Sequence, residues 1–327
     1  MRDQGISLVT GGLGFIGRYL VKALIDRGKK VRVLDKDPST GVFTNAVEVV
    51  TGSVLDKSLL SEIMPGVSFV YHLAGIPHLW QQNPKDFARV NVNGTRNILE
   101  AASNSGIRRL VYTSSETILR PWKIRSDRPI DETNPLPSVE ELPGPYSKSK
   151  LLAELEVMKA VSQGFPATVV YPTIPVGAGD INLTPPTRMI RDFLNGKSPA
   201  YLECNLNLIP VQAVAEGHIL AAENGKVGER YILGQENMKM SELLRQLELL
   251  TGKKMPVKKV PYQMAMLTAR AMEFSARLSG KAPAASVEGV RLAGANMIFK
   301  TSKAREELGL HEYPIQQALK QSIDWLE

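Results

Sequence analysis

The stretch Ile6-Ser7-Leu8-Val9-Thr10-Gly11-Gly12-Leu13-Gly14-Phe15-Ile16-Gly17 decides the fold of this chain. Ile6–Val9 reads as a short apolar strand. Phe15–Asp26, after the glycine turn, places Ile16, Leu20, Ala23 and Leu24 on one helical face. The glycines satisfy G-x-x-G-x-x-G at Gly11, Gly14 and Gly17, and G-x-G-x-x-G at Gly12, Gly14 and Gly17. Glycine is needed where a side chain would hold the backbone away from a pyrophosphate and the helix away from the strand. The helix N-terminus then offers unpaired N–H groups and partial positive charge to the phosphates. Phe15 and Ile16 open that helix.

Gly28 closes the helix, and Val31–Leu34 is the next strand, ending at Asp35. A carboxylate there accepts hydrogen bonds from the adenosine ribose of NAD and repels the 2′-phosphate of NADP. Lys36 beside it softens that preference, and a loop-capping role for Asp35 is the competing reading. NAD, rather than NADP, is the expected cofactor.

Val47–Val50, Phe69–Leu73, Leu110–Thr113 and Thr168–Tyr171 continue the strands, with helical stretches near Lys57–Met64, Val90–Ser105 and Tyr146–Ser162. This alternation means an α/β fold: a doubly wound parallel sheet of the Rossmann type, covered on both faces. After about Pro172 proline and glycine become frequent. The expected division is a dinucleotide-binding domain over residues 1–172 and a smaller C-terminal substrate lobe over 173–327, with some segments returning to the sheet. In Pro261–Gly280, Met264, Leu267, Ala271, Phe274 and Leu278 recur at heptad-like spacing. An amphipathic helix packed on its own lobe is the expectation, with a membrane-surface helix or a substrate lid as alternatives.

The 327 residues are 43% apolar and 22% charged, ordinary for a globular protein. The opening MRDQGISLVTGG lacks the apolar core of a signal peptide, and no run approaches a membrane span. Cys204 is the single cysteine, which excludes an internal disulfide and Cys-based zinc sites and suits a reducing cytoplasm. The four histidines have no metal-ligand spacing, so no metal is expected. The net charge of +7, most visible at Lys253, Lys254, Lys258 and Lys259, comes without a nucleic-acid recognition signature. A solvated loop is the plain reading there; attraction of an anionic substrate or peripheral contact with lipid is the other.

Tyr146 and Lys150 lie four apart in Gly144-Pro-Tyr-Ser-Lys-Ser-Lys, on one face of a helix. An ammonium near a phenol favours the phenolate, so Tyr146 can exchange a proton with a substrate hydroxyl or carbonyl. Upstream, Leu110-Val-Tyr-Thr-Ser-Ser-Glu-Thr sets hydroxyl residues at a strand's carboxyl end, where such sheets bind ligands.

TGGLGFIG, HLAG at 72–75, NVNGT at 91–95, VYTSSE and YSKSK stand in the order and spacing of the extended short-chain dehydrogenase/reductase superfamily, which the chain resembles. By that resemblance Ser115, Tyr146 and Lys150 are the catalytic set. Ser53, Val54, Leu73, Ala74, Gly75, Asn91, Thr113, Pro172 and Thr173 join the glycine loop, Asp35, Lys36, Tyr146 and Lys150 around NAD. His78, Trp80, Glu116, Thr117 and Ile174 fall on the substrate side, with Trp122 in a nearby loop, and a homodimer pairs helices that include the Tyr146 helix. Segments such as Tyr171-Pro-Thr-Ile-Pro-Val-Gly and Gly228-Glu-Arg-Tyr-Ile-Leu-Gly look like the hopanoid-associated sugar epimerase group, itself similar to dihydroflavonol reductases and 3β-hydroxysteroid dehydrogenases.

The chain also departs from its sugar-acting relatives. Ile118-Leu119-Arg120 replaces a usual V-Y-G, Ile174 replaces a sugar-diphosphate asparagine, and Ser53 replaces an adenine-contacting aspartate. Thr117 stands where dehydratases carry a proton-abstracting glutamate. Two reactions stay open, with the resemblance across both lobes leaning to the first. One is epimerase-like, returning the hydride to the same substrate; the other is net oxidation or reduction of an apolar, sterol- or flavonol-like substrate. A dinucleotide sensor without chemistry is a distant third, disfavoured because Ser115, Tyr146 and Lys150 are all present.

Overall fold

The structure, a computed structural model, describes residues 5–37, 47–124, 128–197 and 199–327. The first residues of the stretch that reads as lacking a leader, 1–4, lie outside these. The strands in chain order are β1 (Ile6–Thr10), β2 (Lys30–Asp35), β3 (Val47–Thr51), β4 (Val67–His72), β5 (Arg109–Thr113) and β6 (Ala167–Pro172). They continue with β7 (Ile174–Val176), β8 (Ala200–Tyr201), β9 (Asn205–Pro210), β10 (Arg230–Leu233), β11 (Glu236–Lys239) and β12 (Lys258–Lys259).

Seven of them form one parallel sheet in the order β10-β6-β5-β4-β1-β2-β3. The apolar runs read from the sequence are its central strands, because a sheet covered on both faces must be apolar on both. Neighbouring residues feed opposite sides: Leu8, Val70, Leu110 and Val169 join one core cluster, while Val9, Tyr71, Val111 and Val170 join the other. The strand order reverses about β1, which opens a crevice at the carboxyl ends of the strands.

Arg230–Leu233 reads in sequence as a short piece of the C-terminal lobe, yet it docks beside β6, pairing Arg230 with Val169 and Leu233 with Pro172. A three-stranded sheet, β11-β9-β7, and a third core around Phe193, Leu208, Leu243 and Leu319 build the rest of that region.

Two expectations change. The helix expected to begin at Val90 begins earlier. Lys85–Phe87 runs through a wider π-helical stretch, Ala88–Asn93, into Gly94–Ser105, with helical backbone at both junctions. Such a stretch re-aims its side chains and frequently sits at functional sites. The second concerns Tyr262–Ser279. The helix packs on its own lobe, but through Ala269, Ala276 and the half-buried Glu273, while Met264, Leu267, Phe274 and Leu278 face outward.

Candidate active site

A cavity of about 860 Å³ opens beyond the carboxyl ends of the main strands. All the expected cofactor residues except Asn91 line it, as do Ser115, Tyr146, Lys150, His78, Glu116, Thr117 and Ile174. Trp80 is not on the wall, although Leu79 and Gln81 on either side of it are, and neither is Trp122, whose ring stacks under the Arg291 guanidinium at 4.5 Å.

The glycine loop is shaped to leave room. Gly11 has φ +69°, and a Cβ there would meet the Ala74 backbone nitrogen at 2.9 Å. At Gly17 a Cβ would run into the Gly11 carbonyl and the Gly12 backbone. Gly14 caps the Phe15–Asp26 helix without a side chain, so the first-turn amides have no capping group of the protein's own. Asp35 caps the loop and also faces the cavity. Its Oδ2 accepts from the Leu13 amide at 3.0 Å and its Oδ1 from the Lys36 amide at 2.8 Å, and the carboxylate also lines the cavity.

Behind the wall runs a directed chain of hydrogen bonds. The Ala74 amide donates to Thr10 Oγ1 (3.2 Å), and Thr10 Oγ1 meets His72 Nδ1 (2.8 Å). His72 Nε2 meets Thr95 Oγ1 (3.0 Å), which donates to the Asn91 carbonyl (2.6 Å). Because Thr95 donates onward, His72 Nε2 carries a proton, and burial, aided by the Lys150 charge, keeps the ring neutral by pushing its pKa down to about 3. Asn91 stands behind the cavity: its Oδ1 accepts from the Ile76 amide and its Nδ2 donates to Ser149 Oγ, itself bonded to the Tyr146 carbonyl. The π-helical stretch thus holds Asn91 between the Gly75 loop and the helix that carries Tyr146 and Lys150.

On that helix, Pro145–Ser162, Lys150 Nζ donates to the Thr113 carbonyl at 2.6 Å and lies 4.7 Å above the Tyr112 ring. Burial pulls its pKa down to about 7 against the Glu154 charge. Burial pushes the Tyr146 phenol up to about 12, opposed by a hydrogen bond with Ser115. Ser115 also meets Thr117 Oγ1 at 3.0 Å. Glu116 is the unusual group: its Oε2 is buried without a hydrogen-bond partner, and burial lifts the carboxyl to about 7.

Two acids missed in the sequence hold the helix. Glu154, fully buried, accepts from Ser114 Oγ (2.7 Å), Tyr171 OH (2.6 Å) and Arg230 Nε (2.9 Å), clamping the helix to β5, β6 and β10. Glu288, from the helix Val287–Ala295, accepts at the other helix's N-terminus from the Tyr146 amide (3.1 Å), the Ser147 amide (2.8 Å) and Ser147 Oγ (2.6 Å). It caps in trans, and a Cβ on Gly144 would strike it. No local signal could reveal this, since the cap lies about 140 residues from what it caps.

The NAD-dependent epimerase/dehydratase family matches residues 7–234. The chain belongs to that family. Its relatives include the Synechocystis sp. protein named "Putative dihydroflavonol 4-reductase", 37% identical over 326 residues, 98% of this chain and 94% of the relative. Sterol demethylase protein B of Methylococcus capsulatus is 29% identical over 98% of this chain and 97% of its own length. The crystal structure of gox2253 superposes with a TM-score of 0.85 at 36% identity, covering 98% of this chain and 97% of that one.

Membership makes the chain an NAD-dependent enzyme. The site fits the cofactor: the cradle at Gly11, Gly14 and Gly17 is one that side chains would fill, and the uncapped helix end faces it. Among the described residues no cluster of three or more metal-ligating side chains occurs, and no helix is long and apolar enough to cross a membrane.

Proposed function

We propose that the protein carries out net interconversion of a secondary alcohol and a ketone on an apolar substrate, with Ser115, Tyr146 and Lys150 as its catalytic set. The carrying observation is the apolar part of the cavity lining, Met189, Leu206, Met240, Leu292, Met297 and Phe299, whose polar neighbours Asn182, Thr184, Asn205 and Asn207 are all uncharged. The lining cations among the described residues are Lys36 beside Asp35, Arg89 paired with Asp86 at 3.0 Å, and Lys150. None of these is left over there for a sugar diphosphate, whose charge needs paired donors once desolvated. The names of the two relatives, a flavonol-type reductase and a sterol-processing protein, agree with such a substrate.

When bound, NAD supplies the carbon that gives or takes the hydride. The glycine loop and helix end would hold its phosphates, and Asp35 would hold its adenosine ribose, favouring NAD over NADP. In reduction Tyr146, a neutral phenol at physiological pH, gives its proton to the ketone oxygen, and in oxidation it takes that proton back. Ser115 fixes the same oxygen by a hydrogen bond. Lys150, held at the Thr113 carbonyl one helix turn from Tyr146, supplies positive charge below about pH 7 and in that state lowers the cost of forming the phenolate. Glu116, protonated at pH values below about 7, donates a hydrogen bond to a polar group of the substrate. A homodimer through the Pro145–Ser162 helix fits the outward exposure of Leu152 and Leu155.

The test is a mass balance. The enzyme is given NADH with steroid-type and flavonol-type ketones, or NAD with UDP-glucose. One NADH consumed per ketone supports the proposal. Epimerised UDP-sugar formed without net cofactor turnover, with every apolar ketone inert, overturns it.

A further inference from the structure

We infer that the helix Tyr262–Ser279 is a membrane-docking surface that seats the protein on an anionic lipid bilayer. Met264, Leu267, Ala271, Phe274 and Leu278 alternate at spacings of three and four, a continuous apolar stripe. The stripe points away from the protein: Met264 is 60% exposed, Leu267 70%, Phe274 68% and Leu278 77%. Four large apolar residues and an alanine in register do not stay in water on one helix without something to cover them.

The flanking residues say what covers them. The spacing would suit a second copy of the same helix, but a paired helix needs complementary charges beside its seam. Here the flanks hold Arg270 and Arg277, both exposed, with Gln263, Thr268 and Ser275. The helix has one acid, Glu273, and it is turned inward to accept from the Val287 amide at 2.7 Å. Two such helices would bring arginines together with no acid to answer them. Exposed Lys254, Val257 (90% exposed) and Lys258 lead into the helix, and exposed Lys281 follows it. An apolar stripe whose outward-facing charges on the helix are all cations matches the headgroup region of an anionic bilayer, where the helix lies flat rather than spanning.

The surface is joined to the cavity. Gln82 Nε2 donates to the Arg277 carbonyl at 3.0 Å, and Gln81 and Leu79 before it are on the cavity wall. The helix also packs on Val287–Ala295, whose Gly289, Leu292 and Ala293 line the cavity and whose Glu288 caps the catalytic helix. A docked protein therefore holds its cavity rim close to the lipid.

Flotation of the full chain with vesicles of phosphatidylcholine, with and without phosphatidylglycerol, tests this without reference to the substrate. Binding is expected to the anionic vesicles only. It should be lost in Leu267→Glu/Phe274→Glu and roughly tenfold weaker in Arg270→Ser/Arg277→Ser, with NAD affinity unchanged in both as evidence of an intact fold. Equal binding to neutral vesicles, or none to either, overturns the inference. So does a dimer, seen by light scattering, that Leu267→Glu/Phe274→Glu splits while vesicle binding is absent.

Discussion

The two ends of the cavity are built from different materials. The cofactor end is mostly backbone: glycine φ angles, a helix terminus, and the ends of β1, β2 and β4, which lie close together in sequence. The substrate end is side chain, gathered from positions as far apart as Ile76, Met189, Met240 and Phe299. A backbone cradle can be recognised from a few spaced residues, because only glycine permits it. A side-chain wall of methionines and leucines has no such signature, since many apolar residues fill the same space. Between them stands Pro145–Ser162, fastened to the sheet by Glu154 and to the C-terminal region by Glu288.

If proton chemistry is separable from the cradle, Tyr146→Phe should lower kcat by about a thousandfold. NAD affinity, read by calorimetry, should stay near wild type; a large loss of affinity would merge the two ends. Glu288→Ala tests the joint. It leaves two buried amides without an acceptor, so urea unfolding should show a loss of about 3 kcal/mol, with kcat falling further than KM rises. A neutral outcome would mean that the trans cap does not hold the catalytic helix.

Glu116→Gln probes the substrate end through pH. Burial raises the carboxyl from 4.5 to about 7, so between those values the folded state keeps a proton that the unfolded chain has released. Stability from this group is full below pH 4.5 and is lost as pH rises through about 7, by at most roughly 3 kcal/mol. The variant should melt higher than wild type at pH 8, with the gain vanishing near pH 4, while turning over substrate more slowly. An unchanged difference across that range would remove Glu116 as a titrating group. The smallest expected effect is Gly14→Ala. Its Cβ would sit 3.2 Å from the Gly11 carbonyl, tight but tolerable, so the fold should hold while NAD binds about tenfold more weakly.

Much of the fold was legible in local pattern. Ile6–Val9, Val31–Leu34 and Leu110–Thr113 each fall within one residue of an observed strand end, because short runs dominated by apolar and β-branched residues suit a doubly covered sheet. Arg230–Leu233 was legible as a strand but not as a member of the main sheet. The outward-facing stripe on Tyr262–Ser279 shows the same division, since its spacing predicts a helix and an apolar face but not the direction in which that face points.

What the sequence determined by itself was the glycine turn between β1 and its helix, the acid at the end of β2, and the placing of Tyr146 and Lys150 one turn apart on one helix face, all imposed by short-range geometry. Tertiary structure alone decided the partners of His72, the buried isolation of Glu116, the clamp at Glu154, the cap from Glu288, and the composition of the apolar lining. Those depend on which distant segments meet, and on which groups that meeting removes from water.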